Sequence, residues 1–278
     1  MQRLLQTEQP FFFAFRNSAR NFSVYRILPT MKLLAFLFSP LIAFSLLTRG
    51  SGSRQEPLRG SANQPTVHNN QAPVRILVFS ATRGFRHSSI PDGIRALQKM
   101  AAKNKWEIVA TEDSAHFRPD KLSQYKAIVL LNNTGNVFGP EEEAALQQYV
   151  RNGGGIVGIH AAADCEYDWP WYNQLIGGYF ESHPEIQTAT LRVKEKHIST
   201  GHLGTVWHHK DEWYNYKSVS PKIKVLVELD EKSYRGGNMG AFHPISWYQE
   251  FDGGKVFYTG LGHTSEAYED EKFLMHVE

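Results

Sequence analysis

The chain has 278 residues, 41% of them hydrophobic and 21% charged, which is ordinary for a globular protein and enough for one sizeable core. Its formal charge of +2 is unevenly spread: the first 72 residues carry eight Lys/Arg against two Asp/Glu, leaving 22 basic against 26 acidic residues for the remainder. A mildly acidic body without a basic stripe excludes nucleic acid as a partner, and the single Cys165 excludes an intramolecular disulfide framework.

Residues 1–30 are basic and Phe-rich without helical or strand periodicity, and read as a disordered or artefactual leader, with Met31 as an alternative start. Residues 31–50 follow as a signal: Met31-Lys32 is a charged n-region and Leu33 through Leu47 an apolar run, too short for a comfortable span and right for secretion. No Ala-x-Ala cleavage site follows, so the segment is either removed or kept as an anchor. The expectation is an exported protein, periplasmic or extracellular, that meets membrane only through residues 33–47. Residues 51–72, rich in Ser, Gly, Gln, Asn and Pro, read as a disordered linker. The folded domain is expected over 73–278.

Within the domain, short apolar runs alternate with helical periodicity. Val74–Ser80 predicts a buried strand, and Ser89–Ala102 a helix. Trp106–Thr111 and Ala127–Asn132 predict two more strands, and Pro140-Glu141-Glu142-Glu143 opens a second helix with proline in the first turn and acids at the positive end of its dipole. Ile156–Ile159 predicts the fourth strand. Near-continuous β-branched runs between helices imply parallel strands covered on both faces, hence an α/β, doubly wound, mostly parallel sheet. Thr188–Val193, Lys224–Leu229, Pro244–Glu250 and Lys255–Thr259 predict a β-rich C-terminal extension with an antiparallel lobe. The chain stops at Phe273–Glu278 within a predicted helix that carries no stop signal, as expected of a sequence cut short.

Ligands of an open α/β sheet bind beyond the carboxyl ends of its strands, so the polar residues that follow each strand define the candidate site. The most informative run is Gly153-Gly154-Gly155-Ile156-Val157-Gly158-Ile159-His160-Ala161-Ala162-Ala163-Asp164. It has the shape of a strand–elbow–helix junction, where a hydrolase displays its nucleophile. An imidazole at that apex serves as base, acid or metal ligand and only rarely as a covalent nucleophile. Asp164 either orients His160 or caps the following helix. The other strand ends supply His87, Asn133 and His263, while His183 and His243 precede prolines and so sit in extended backbone. Glu212 lies beside Trp213 and Tyr214, where apolar neighbours are expected to raise its pKa toward acid/base work. Trp213 and the nearby aromatic residues suit stacking on a sugar ring as well as core packing. Cys165 is expected as a packed small residue, and the pair His208-His209 on an exposed turn. The Gly153–Gly155 triplet precedes its strand, the reverse of a phosphate loop, so no nucleotide cofactor is expected.

Phe85-Arg86-His87, Ala110-Thr111-Glu112-Asp113, Gly154–His160, Tyr167-Asp168-Trp169-Pro170-Trp171-Tyr172, Ser182-His183-Pro184, Asp211-Glu212-Trp213-Tyr214 and Tyr258–Thr264 occur in unbroken order. With these motifs the chain resembles the trehalose-utilization (ThuA-like) family. The resemblance implies a fold like that of class I glutamine amidotransferases or flavodoxin, with histidine replacing the nucleophilic cysteine at the elbow, so amidotransferase activity does not carry over. It further implies a role in carbohydrate catabolism, in a branch of exported proteins regarded as glycosyl hydrolases, some of them linked to oxidised (3-keto) glycosides. It also implies a final helix that this sequence does not contain.

The expected function is therefore acid/base transformation of a glycoside, with a small carbohydrate as partner and His160, Glu212 and Asp164 as the catalytic set. His87, Asn133, Trp213, His243 and His263 are expected to bind substrate. His87, His160 and His183 are the expected ligands of a divalent, Zn-like ion. A metal-dependent hydrolase of unoxidised glycosides and a noncatalytic carbohydrate-binding protein are the alternatives.

Overall fold

The computed structural model describes residues 72–278; the expected leader, signal and nearly all of the linker lie outside them. The chain begins β1 (Arg75–Phe79), α1 (Ile90–Asn104), β2 (Glu107–Thr111), α2 (Pro119–Leu122), β3 (Ala127–Leu131), β4 (Thr134–Gly135), α3 (Pro140–Arg151) and β5 (Gly155–Ile159). It continues through β6 (Asp164–Cys165), α4 (Pro170–Ile176), β7 (Tyr179–Ser182), β8 (Gln187–Val193), β9 (Val206–Asp211) and β10 (Asn215–Lys217). The last elements are β11 (Lys224–Leu229), β12 (Pro244–Phe251), β13 (Gly254–Thr259) and α5 (Glu271–Val277).

Local chemistry sets these boundaries. Pro140 stands at the start of α3, and the Glu142 carboxylate accepts the Gly139 N–H at 3.0 Å, satisfying one orphan donor of the first turn. α4 likewise starts on a proline and stops at Gly177, whose φ of +97° no side-chain-bearing residue adopts cheaply. α1 runs two residues beyond its predicted end, to a left-handed cap at Lys105.

Nine strands form one sheet in the order β2-β1-β3-β5-β13-β12-β11-β8-β9. The first five run parallel and the rest pair antiparallel, so the mixed α/β architecture divides into a parallel half and a β-rich half. Opposite pleats of β1 meet different layers. Ile76 borders a cleft with Leu97 and Met100 of α1 and Val277 of α5, while the Phe79 ring packs on Phe117 at 4.6 Å and Phe138 at 5.3 Å between centroids.

Four strand intervals separate β13 from β9, about 19 Å if the sheet were flat. Yet Asp211, the last residue of β9, bonds Gly262 just past β13 at 2.7 Å. The antiparallel half therefore coils back over the strand ends, as twisted sheets do, and β9 packs against α5 through the His209–Asp270 pair at 2.9 Å. This corrects the expectation for His208-His209. The pair lies on a strand alternating exposed and buried, with His209 inside; two adjacent polar residues hide that alternation in the sequence. Among the described residues no helix is long and apolar enough to cross a membrane.

Candidate functional site

Three parallel strands and one antiparallel strand deliver the site. His87 ends the loop after β1, which Thr134 braces: its backbone carbonyl accepts the Arg83 N–H at 2.7 Å, and its hydroxyl donates to the Phe85 carbonyl at 2.8 Å. His160 follows β5 directly, with φ of +47°. A non-glycine residue in that left-handed region costs about 1–2 kcal/mol, strain of the kind that marks functional turns. The turn is tight because Gly158 lets Tyr258 approach; a Cβ there would lie 2.9 Å from the Tyr258 ring. A short 3₁₀ turn, His160–Ala163, takes the place of the expected helix. His263 follows β13 and Glu212 follows β9.

One ligand-type atom from each of His87, His160, Glu212 and His263 falls within 4.8 Å of all the others. The His160 ring is wholly buried, and its Nδ1–H donates to the Gly260 carbonyl at 2.7 Å. A carbonyl can only accept, so Nδ1 carries a hydrogen and Nε2 is the ring atom turned toward the cluster. Nε2 lies 3.1 Å from His263 Nδ1 and 3.4 Å from Glu212 Oε2, and His263 Nδ1 lies 3.2 Å from the same oxygen. The Tyr214 ring covers His160, centroid to centroid at 4.1 Å. Buried His87 leaves its Nδ1 without a hydrogen-bond partner, an orphan that a buried polar group does not ordinarily leave.

The electrostatics follow from burial and crowding. Burial, then the imidazoles of His160 and His263, push His87 down to about 3, so it is neutral at physiological pH and free to donate a lone pair. For Glu212, burial is the largest single influence and pulls upward. The hydrogen bonds and charges of His160 and His263 together outweigh it and hold the carboxyl well below the usual carboxylate range. The expectation of a Glu212 raised by Trp213 and Tyr214 is thus reversed, because imidazoles and not indole or phenol rings face the carboxylate.

The remaining predicted residues divide. His183, at the end of β7 and across from the Glu212 segment through the β7–β10 pairing, sets its Nδ1 3.0 Å from Glu212 Oε1, and its side chain is 44% exposed. It faces the oxygen turned away from the cluster and so stands outside the four-residue ligand set, a correction to its place among the metal ligands. Asp164 neither orients His160, whose Nδ1 is taken by Gly260, nor caps the following helix, whose N-cap is Trp169. It accepts the Tyr167 hydroxyl at 2.6 Å, and burial raises its pKa. Asn133 is buried with its amide N–H donating to the Ala81 carbonyl at 3.0 Å. Trp213 is fully buried, its indole N–H on the Gln187 carbonyl at 2.8 Å. His243 is buried between the Tyr214 carbonyl at 2.8 Å and Glu231 at 2.7 Å. These three brace the fold around the site and offer no face to a substrate, contrary to expectation. Cys165 is buried with its thiol on the Gly135 carbonyl at 2.9 Å.

Sequence reasoning missed three supports. Asn132, with φ of +53°, donates to the Gly262 carbonyl at 3.2 Å; its position directly after β3 was the available signal. The Gly260 carbonyl fixes the orientation of the His160 ring through Nδ1. Asp211 grips the loop that carries His263.

A mixed α/β sheet whose strand ends gather three imidazoles and a carboxylate defines the class of protein. The chain belongs to the ThuA family, described as trehalose utilisation, which matches residues 75–278. Its fold is similar to that of a ThuA-like protein from Bacteroides uniformis ATCC 8492, at 25% identity over 74% of this chain and 89% of that one, with a TM-score of 0.63. It is also similar to a ThuA-like protein from Parabacteroides merdae ATCC 43184, at 20% identity over 74% and 88%, TM-score 0.61. A cytoplasmic protein from Salmonella typhimurium LT2 shares the fold at 12% identity over 73% and 96%, TM-score 0.55. No curated protein matches the chain. The family is carbohydrate-related.

Proposed function

We propose that this protein cleaves or transforms a glycoside, with a 3-keto sugar as the favoured substrate class, by acid/base chemistry assisted by a divalent ion. The ion would be held by His87, His160, Glu212 and His263. The observation that carries this reading is the convergence of one ligand-type atom from each of His87, His160, Glu212 and His263 to within 4.8 Å of one another, three imidazoles and an anionic carboxylate that make a donor set suited to a Zn-like ion. When bound, such an ion supplies Lewis acidity toward a carbonyl or hydroxyl oxygen.

The chain's own residues handle the proton. His183, half-exposed with Nδ1 3.0 Å from Glu212 Oε1, would take a proton from the carbon between the keto group and the anomeric centre. The electron pair left behind forms a carbon–carbon double bond as the anomeric C–O bond breaks, and the leaving oxygen picks up a proton. Addition of water across that double bond then completes a net hydrolysis. The exposed Phe85 ring, edge-on to His87 at 4.9 Å, offers an apolar face to the sugar at the mouth. Helices on both faces of the parallel strands favour reading the core as doubly wound and amidotransferase-like. The apolar run of residues 33–47 favours export of a secreted glycosyl hydrolase, with the folded domain at 73–278.

The test is metal analysis of the purified protein together with a screen of oxidised and unoxidised disaccharides, on wild type and on His160→Gln and Glu212→Gln. Stoichiometric metal and keto-glycoside turnover, both lost in the variants, are expected. Sugar affinity without turnover under any metal condition would support a binding protein instead, and wild-type turnover by His160→Gln would refute the site.

A further inference from the structure

Glu212 and His263 approach the site on segments far apart in the chain, one from the edge strand β9 and the other from the loop after β13. What holds them in mutual register is a single side chain. Asp211 is wholly buried. Its Oδ2 accepts the Gly262 N–H at 2.7 Å, and its Oδ1 accepts the Thr264 N–H at 3.3 Å and the Glu212 N–H at 3.0 Å. The two outer amides stand on either side of His263, and the third belongs to Glu212. One planar carboxylate therefore fixes both shoulders of one cluster residue and the backbone of another.

The same loop is gripped from its other side. The Gly262 carbonyl accepts Asn132 Nδ2 at 3.2 Å and the Tyr268 hydroxyl at 3.0 Å. Gly262 itself has φ of +104°, and an added Cβ would lie 2.9 Å from both Ile159 Cγ2 and the Tyr268 hydroxyl, so its peptide has one orientation available. Behind Asp211, the Nε2 of His209 lies 3.7 Å away, beyond hydrogen-bond range. The carboxylate is thus committed to the three amides.

We propose that Asp211 is the positioning residue of the cluster: its carboxylate sets the spacing between Glu212 and His263 and so the affinity of the site for a divalent ion. It touches neither ion nor substrate. The affinity part rests on the metal reading above; the positioning part does not. Groups that orient ligands in this way are worth about 10- to 100-fold in metal affinity. In Asp211→Asn the side chain keeps its size, but its –NH₂ group meets an N–H donor where an oxygen had accepted one, so one shoulder of His263 is released.

The experiment titrates zinc chloride against wild type, Asp211→Asn and Glu212→Gln, with Asp211→Ser, whose cavity admits a water, should Asn not fold. Thermal unfolding of the metal-free proteins is followed in parallel. Zinc affinity is expected to fall about 10- to 100-fold in the folded Asp211 variant and further in Glu212→Gln. The Asp211→Asn/Glu212→Gln double variant, titrated alongside, is expected to lose less than the product of the two, because both act on the same contact. Imidazole resonances of metal-free protein give a second readout: those of His263 should shift in the Asp211 variant while those of distant His276 stay in place. A folded variant that binds zinc as wild type does overturns the proposal. If wild type binds no zinc, the metal reading fails by itself, and the His263 resonances decide: a shift sustains the positioning role, and unmoved resonances overturn it.

Discussion

His276 turns the packing of α5 into a measurable pH dependence. The ring is 1% exposed, with Nδ1 2.8 Å from the Ser199 carbonyl and Nε2 2.8 Å from the Ser246 hydroxyl, beside the Trp207 and Phe257 rings. Burial pushes it from the usual 6.5 down to about 4, against the opposing pull of the Ser199 carbonyl. Between those two values the unfolded chain binds the proton and the folded chain does not. Stability from this group is therefore complete above about pH 6.5, falls as the pH drops, and levels off below about pH 4. At about 1.4 kcal/mol per pH unit the full loss is about 3 kcal/mol, of which about 2 kcal/mol is gone by about pH 5. Urea unfolding of wild type and His276→Gln across this range isolates the group, since the other histidines are common to both. The variant is less stable at neutral pH and loses about 2 kcal/mol less on acidification to about pH 5. Parallel stability curves for the two proteins would refute the claim that this imidazole is buried neutral.

Two further substitutions probe the frame of the site. Gly260→Ala places a Cβ against the Tyr216 hydroxyl and 2.5 Å from Ile245 Cδ1, overpacking expected to cost about 1–3 kcal/mol; urea unfolding that shows no loss would mean the strand end yields freely. Cys165→Ala removes a buried thiol that points at the Gly135 carbonyl and is not among the four clustered residues. It should leave metal stoichiometry and turnover unchanged, and loss of turnover in a folded variant would show that the thiol takes part after all.

The parallel half was legible because runs such as residues 76–79 and Ala127–Leu131 are largely buried and apolar throughout. The antiparallel strands were legible in position but not in path. Nothing local records that β9 returns across the sheet to meet Gly262, a contact between residues 51 positions apart. That return is why the sign of the Glu212 shift was missed: the neighbours that matter, His160 and His263, come from other strands, while Trp213 and Tyr214 are neighbours only along the chain. The same blindness promoted Asn133 over Asn132. Alternate residues at a strand end point to opposite sides, and the left-handed turn at Asn132 decides which amide reaches the site. Trp213 and His243 carry the right chemistry, yet they are consumed as packing and bracing groups, which residue type alone does not reveal.

The four clustered side chains are scattered from the first strand's loop to the stretch beyond the last strand. A chain still being synthesised cannot complete the set of four until His263 has been made, and assembly must wait on contacts between remote segments. The complete cluster is thereby withheld from every chain that stops short of His263. Closing the site and closing the fold become one event.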